Sequence, residues 1–256
     1  MIFSIVTVTF NNLEGLKKTY DSINFELKNL FEWIVIDGAS SDDTKDWLSD
    51  LKIDNLSWLS EPDKGIFDAM NKGIAKSNGQ YLIFMNAGDL FSSKDILLKL
   101  NNFINDLKYP DLIYGDTIEY DTSGGQYLKA ARSPVWNHYS MFTHHQSIFY
   151  KKEKIIKGYD LTYKLSGDWA LTSKLLAEKN IVAEKFPEVI CYFERGGVSQ
   201  RSDQRKLINK EHWRILRKEM KLSYGSALIL YNTKLLFNKL RQFAPNLYNT
   251  FRFKKS

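Results

Sequence analysis

Short apolar runs alternate with helix-patterned segments through roughly the first ninety residues, and this restricts the possible folds more than any other feature of the chain. Phe3-Ser-Ile-Val-Thr-Val-Thr-Phe10, Trp33-Ile-Val-Ile-Asp37, Leu56-Ser-Trp-Leu59 and residues 81–85 read as strands. Residues 13–25, 44–51 and 67–77 read as amphipathic helices. Near-continuous apolar runs mark strands buried on both faces, and strands alternating with helices at this spacing build a mainly parallel sheet with helices on each side. The expected fold class is therefore α/β. In such sheets charged ligands bind at the carboxyl ends of the strands, so the polar loops there become the candidate site.

The second half is less regular. Residues 111–116 and 146–150 read as strands, and residues 117–128 as a hairpin around Gly124-Gly125. Residues 130–143 form a loop, residues 168–179 a helix, and residues 182–193 two short strands separated by Pro187. A helical region runs from near Ser202 to about Phe243, broken around Ser223-Tyr-Gly225. The expected organisation is a globular domain over residues 1–205 and a basic helical extension over residues 206–256.

Charge is concentrated in that extension. From Arg214 to Ser256 ten Lys or Arg stand against one acid, Glu219, a local +9 within a chain total of +6. Such a segment suits a polyanionic surface, either membrane or nucleic acid. Residues 227–240 carry Asn232, Lys234, Asn238 and Lys239, whereas a spanning helix needs about 20 mostly apolar residues. An in-plane amphipathic helix fits instead, as does a helix that packs back on the domain. The apolar runs 228–230 and 235–237 favour an anionic lipid surface over nucleic acid. The single cysteine, Cys191, fits a reducing compartment, and the strand-like start reads against a secreted precursor. A cytoplasmic protein, peripheral at the inner face of the membrane, is expected.

Four segments carry the residues suited to chemistry. Asp37 ends the second strand, where an acid can accept a hydrogen bond from a ring N–H; Ser41 to Asp43 are suited to cap the next helix. Thr9 ends strand one. Glu61-Pro-Asp-Lys-Gly-Ile-Phe-Asp-Ala-Met-Asn-Lys-Gly73 places Asp63, Lys64, Asp68 and Asn71 around a loop that opens a helix. Asn86-Ala-Gly-Asp89 follows an apolar strand. Small residues at 87 and 88 let the backbone approach a diphosphate, and Asp89 offers a hard oxygen to a divalent cation. His144-His145-Gln146 is placed to contact phosphate or that cation. Asp168, at a helix N-terminus, suits a general base, and Trp169 beside it offers a face on which a sugar can stack. Gly196-Gly-Val-Ser199 reads as a flexible loop able to close over a donor.

Taken together and in this order, these segments resemble the family 2 glycosyltransferases of GT-A fold, particularly bacterial enzymes building O-antigen, capsule and exopolysaccharide. The resemblance rests on Ser4-Ile-Val-Thr-Val-Thr-Phe-Asn11, Val35-Ile-Asp-Gly-Ala-Ser-Ser-Asp-Asp-Thr44, the 61–73 segment, Asn86-Ala-Gly-Asp89, His145-Gln146 and Gly167-Asp-Trp169, and spans residues 1 to about 200. It implies a nucleotide-sugar donor, usually a UDP-sugar, with Mg²⁺ or Mn²⁺, and inversion by direct displacement onto an acceptor glycan, here one carried on a lipid. On that basis Thr9 and Asp37 hold the uridine, with Asp63 and Lys64 close to the nucleotide. Asn86 and Gly88 face the diphosphate, Asp89 and His145 take the metal, and Asp168 is the base. The chain departs from the family pattern twice. Asn86 stands where a first metal-motif aspartate is common, and Gly167 where a glutamate often precedes the base. A nucleotidyltransferase or a non-catalytic nucleotide-sugar-binding protein would share the sheet. The former calls for a glycine-rich, Arg-containing loop after strand one, and Asn11-Asn-Leu-Glu-Gly15 is not one.

Overall fold

A computed structural model describes residues 1–121, 124–195 and 204–243. Its centre is a nine-stranded sheet. Strands β1 (Phe3–Thr9), β2 (Phe31–Asp37), β3 (Leu56–Ser60) and β4 (Tyr81–Phe84) lie in the order β3-β2-β1-β4, all parallel. Every residue of β1 is buried, Ser4, Thr7 and Thr9 included, as in a strand covered on both faces. Helices α1 (Leu13–Ser22), α2 (Thr44–Asp50) and α3 (Ile66–Lys76) connect these strands. Helix α1 is capped by Asn12, whose Oδ1 accepts from the Gly15 N–H at 3.1 Å. Helix α3 lies so close to β1 that a Cβ on Gly73 would meet Val6 Cγ1 at 2.3 Å.

Beyond β4 the sheet becomes mixed. Strand β8 (Ile148–Lys151) is antiparallel to β4 and to β6 (Leu112–Tyr120), and β9 (Ala183–Glu194) is parallel to β6. Short β5 (Leu90–Phe91) closes one edge, and β7 (Gln126–Lys129) pairs with β6 as the expected hairpin. Residues 182–193 were expected as two strands, but β9 is continuous. A register shift opposite Tyr114 and Asp116 absorbs Pro187, because a bulge spares the ladder a proline that cannot donate. Helix α4 (Ile96–Asp106) goes beyond the elements expected from sequence; it buries Ile96, Leu97, Leu100 and Ile104. One-turn α5 (Lys152–Ile155) and α6 (Gly167–Leu176) complete the body.

One core cluster, around Ile5, Trp33, Leu100 and Phe149, and a second, around Val6, Met70, Phe84 and Tyr150, pack on the sheet. A third lies under the C-terminal helices α7 (Arg205–Arg214) and α8 (Tyr224–Phe243), which flank a π-helical turn at Ile215–Glu219. It joins Tyr163, Trp169 and Ala170 of the body to Ile215, Leu216 and Ala227. The break expected near Ser223 lies between the turn and α8, where Ser223 Oγ accepts from the Ser226 N–H at 3.2 Å. One face of α8 therefore packs on the domain. Lys234 turns inward, with its Nζ 3.9 Å from the centre of the Trp169 ring. Leu228, Ile229, Leu236 and Phe237 are exposed on the outward side of α8, with Asn232 among them. The side chains of Lys239 and Arg241 lie outside the described residues. Among the described residues no helix is long and apolar enough to cross a membrane.

Candidate active site

Parallel pairing in register sets Thr9 beside Asp37 at the carboxyl ends of β1 and β2. The loops leaving β1, β3 and β4 open there into a cleft of about 1030 Å³. Thr9, Phe10, Gly38, Asp63 and Phe67 line one part of it, and Asn86, Ala87, His145, Gln146, Lys164 and Asp168 line another. Three side-chain atoms in this wall, Thr9 Oγ1, Asn86 Oδ1 and Gln146 Oε1, are buried without a hydrogen-bond partner. Such atoms are rare in folded proteins and here point to a polar ligand.

At the nucleotide end the sequence-derived residues divide. Thr9 and Asp63 line the cleft, and Asp63 Oδ1 accepts from the Gly65 N–H at 2.7 Å. Asp37 lies behind the wall, fully buried. Its carboxylate accepts from Ser60 Oγ at 2.6 Å and from both the N–H and the hydroxyl of Ser40, so it ties the 38–44 loop to β3. The Lys64 side chain is exposed and absent from the wall, while its N–H caps onto Asp68 Oδ2 at 3.0 Å. Asn71 is structural: it donates to the Tyr159 carbonyl at 3.0 Å and accepts from the Tyr159 N–H at 2.7 Å. Of the expected caps, Asp42 serves two helices, accepting from Thr44 N–H at 3.2 Å and Leu13 N–H at 3.1 Å.

The Asn86–Asp89 turn is folded differently from the expectation. Gly88 adopts φ +106°, its N–H donates to Thr19 Oγ1 at 2.9 Å, and its carbonyl accepts from the Tyr120 hydroxyl at 3.1 Å. Gly88 is thus tied into the turn, and Ala87 takes its expected place in the cleft wall. Asp89 sits just behind the wall, 6% exposed, with Oδ2 accepting from Gln146 Nε2 at 2.9 Å. Burial pushes its carboxyl up to about 7, against the Gln146 hydrogen bond and the charge of His145. Among the described residues no three His, Cys, Asp or Glu converge on one point. The donors present still fit a hard cation. The Asp89 carboxylate and the unpartnered Asn86 Oδ1 are two oxygens on one turn, and Mg²⁺ takes one or two protein oxygens alongside phosphate. His145 fits that role less well. Its Nε2 faces Asn86 Nδ2 at 3.4 Å and its Nδ1 faces Asp168 Oδ2 at 3.5 Å.

Asp168 opens α6 at the far end of the cleft, its side chain 26% exposed. Burial alone would raise its carboxyl. The His145 hydrogen bond and charge, the Trp169 N–H and His144 outweigh burial and hold it below the ordinary carboxylate range. The departure at Gly167 has a steric cause, since a Cβ there would meet the Phe67 ring at 2.7 Å. Trp169 does not offer a stacking face to a sugar. It is 3% exposed, donates from Nε1 to the Asn137 carbonyl at 2.8 Å, and meets His212 edge-on. Phe10 and Phe67 line the cleft from within two of the quoted segments, whereas Lys164 and Phe193 line it without any motif in the sequence to mark them. The residues 196–199 expected as a closing loop lie outside the described residues.

Residues 4–179 match the description "Glycosyl transferase family 2". The chain belongs to that family. This glycosyltransferase is 28% identical over 243 residues, 90% of its own length and 89% of the relative's, to a "PGL/p-HBAD biosynthesis glycosyltransferase" of Mycobacterium tuberculosis. It is 31% identical over 206 residues, 76% of each chain, to an uncharacterised glycosyltransferase of the same species. Its fold is that of Staphylococcus aureus TarS residues 1–349, with TM-score 0.68 at 16% identity over 96% of this chain and 73% of that one. TarS has also been solved with UDP and with UDP-GlcNAc. The mannosyltransferase PcManGT of Pyrobaculum calidifontis, solved with GDP-Man and Mn²⁺, aligns over 98% of this chain and 82% of its own, with TM-score 0.57 at 17% identity. The α/β sheet with flanking helices is thus the GT-A arrangement expected from the sequence.

Proposed function

We propose that this glycosyltransferase moves a sugar from a UDP-sugar to a hydroxyl of a lipid-linked glycan, inverting the anomeric carbon. One observation carries the reading: a single cleft joins the strand-end residues Thr9 and Asp63 to the carboxylate of Asp168, with unpartnered Asn86 and Gln146 atoms between them. The UDP complexes of TarS support a uridine nucleotide, and the mycobacterial relative supports a place in surface-glycan synthesis. A donor screen read by mass spectrometry, with a lipid-diphosphate-linked sugar as acceptor, tests it; no UDP release from any UDP-sugar would overturn it.

In this mechanism Thr9 and Asp63 hold the nucleoside, and Asp37 keeps the 38–44 loop in place behind it. Asn86 and Asp89 would hold Mg²⁺ or Mn²⁺, which when bound neutralises charge on the departing diphosphate. Asp168 accepts the proton of the acceptor hydroxyl as that oxygen attacks the sugar carbon from the face opposite the diphosphate. His145, between Asn86 and Asp168, orients both. In this reading His145 links the two ends of the cleft, and the cation is left to Asn86 and Asp89. Asp37→Ala should raise the donor KM through disorder of the 38–44 loop while leaving kcat near wild type. An unchanged KM measured by UDP release would confine Asp37 to the fold.

The outward face of α8 supports the membrane partner and a peripheral position at an anionic bilayer. A surface helix normally turns its apolar side inward. Here Ala227, Leu230 and Tyr231 face the domain beside Lys234, and yet Leu228, Ile229 and Leu236 remain exposed. The +9 segment disfavours a second copy of the same tail as the cover and suits anionic lipid, where each Lys or Arg near the surface contributes about 1 kcal/mol. Burying an exposed Ile or Leu contributes about 1.5–3 kcal/mol. Ile229→Asn with Leu236→Asn should therefore weaken co-sedimentation with phosphatidylserine vesicles by ten-fold or more, on the order set by those two side chains. Equal binding of variant and wild type would remove α8 as the anchor.

A further inference from the structure

Residues 164–166 lead directly into Asp168, and Lys164 and Leu165 line the cleft. No side chain of this loop caps α6: Ser166 occupies the cap position without a side-chain hydrogen bond. The loop is held from outside by α7. The carboxylate of Glu211, 4% exposed, accepts from three consecutive backbone N–H groups: Lys164 at 2.5 Å, Leu165 at 3.2 Å and Ser166 at 2.8 Å. Hydrogen bonds to an ionised acceptor are stronger than those between neutral groups, and three on one buried carboxylate fix the loop's position closely. One residue before the loop, the Tyr163 hydroxyl donates to Glu219 Oε1 of the π-helical turn at 2.8 Å. One residue after Asp168, Trp169 is packed edge-on by His212 of α7 and covered by Lys234 of α8. Thus residues 163–166 and 169, on either side of the proposed base, are held by elements that begin after residue 179, where the family match ends.

We propose that Glu211 is a positioning residue for Asp168, and that α7 and α8 form a working part of the active site as well as a tail. The inference rests on the reading of Asp168 as the base. Removing the chain from α7 onward would leave three N–H groups of the 164–166 loop without their acceptor, so transfer would fail even to an acceptor free of lipid.

The test uses the full chain in three variants. It measures UDP release from UDP-N-acetylglucosamine, melting temperature, and hydrogen exchange of the 164–166 amides. Glu211→Gln puts an amide nitrogen against backbone donors with little change of shape. It should speed exchange at 164–166 and lower kcat on the order of 10²-fold, the scale of a misplaced reacting group, with donor KM near wild type. Ile104→Ala removes core under helix α4, none of whose residues lines the cleft; it should lower the melting temperature yet keep kcat at 25 °C. Wild-type kcat in Glu211→Gln, with its amides deprotected, would overturn the proposal. So would loss of kcat in Ile104→Ala equal to that in Glu211→Gln, because stability alone would then account for both. Asp168→Asn separates the two readings. If it retains wild-type kcat, the base assignment fails; if it loses rate while Glu211→Gln does not, only the positioning role fails.

Discussion

Asp168→Asn is expected to lower kcat by roughly 10²–10⁴-fold, the usual contribution of general-base assistance, while UDP affinity stays near wild type. The geometry separates the two quantities. Asp168 lies at the α6 end of the cleft with His145 3.5 Å from its Oδ2, whereas Thr9 and Asp63 line the nucleotide end. Asparagine preserves the size of the side chain and its acceptor oxygen but cannot take the proton. The pH profile adds a second sign. A base acts only when ionised, and His145, the Trp169 N–H and His144 hold this carboxyl below the ordinary range despite its burial. The rate limb set by Asp168 should therefore lie on the acid side of the normal carboxylate range, so that activity persists as pH falls towards it. Calorimetry with UDP and steady-state UDP release measure the two effects. Loss of UDP binding in step with rate would return Asp168 to a structural role at the start of α6.

The parallel half of the sheet was legible because its physics is local. The run from Phe3 to Phe10 has no polar alternation, and only a strand covered on both faces tolerates that. Helix α4 carries an equally good period in Ile96, Leu97, Leu100 and Ile104, and Ser92-Ser-Lys-Asp95 before it supplies cap-type residues, so this helix was as legible as the others although it was not among the elements expected. Pro187 looked like a strand breaker because the bulge that admits it depends on pairing with distant Tyr114 and Asp116. At the site, sequence puts Asp37 and Asp89 at or just beyond the ends of strands that border the cleft, but does not give their depth. Each is buried by a neighbour from another segment, Ser60 for Asp37 and Gln146 for Asp89. Trp169 was misread for the same reason. Its surroundings are supplied by Asn137, His212 and Lys234, at separations where no periodicity speaks. The direction of Lys234 was equally hidden, since a mixed Leu and Lys helix can turn either side inward until a core is there to receive one.

Chelation by EDTA should nearly abolish sugar transfer by the wild type, and Asp89→Asn should do the same in excess Mg²⁺ or Mn²⁺. Asp89 is the one carboxylate of its turn and Asn86 supplies only a neutral oxygen, so the turn itself keeps no charge after the substitution. The pH dependence follows from burial. A carboxyl raised from 3.8 to about 7 binds its proton more tightly folded than unfolded. Its stabilising protonated form is fully present at low pH and is lost as pH rises through about 7. Above that point an unneutralised charge is held in a poorly solvated turn, which a divalent cation would relieve. Proton and cation thus compete for one group. Mg²⁺ should raise the melting temperature more at pH 8 than at pH 6, and Asp89→Asn should erase that difference. Binding also stabilises the folded chain by mass action, so the shift should grow with cation concentration. A Mg²⁺-induced shift in melting temperature that is equal at both pH values, or unchanged in Asp89→Asn, would move the cation off Asp89. Full transfer activity in EDTA would take the metal out of the mechanism.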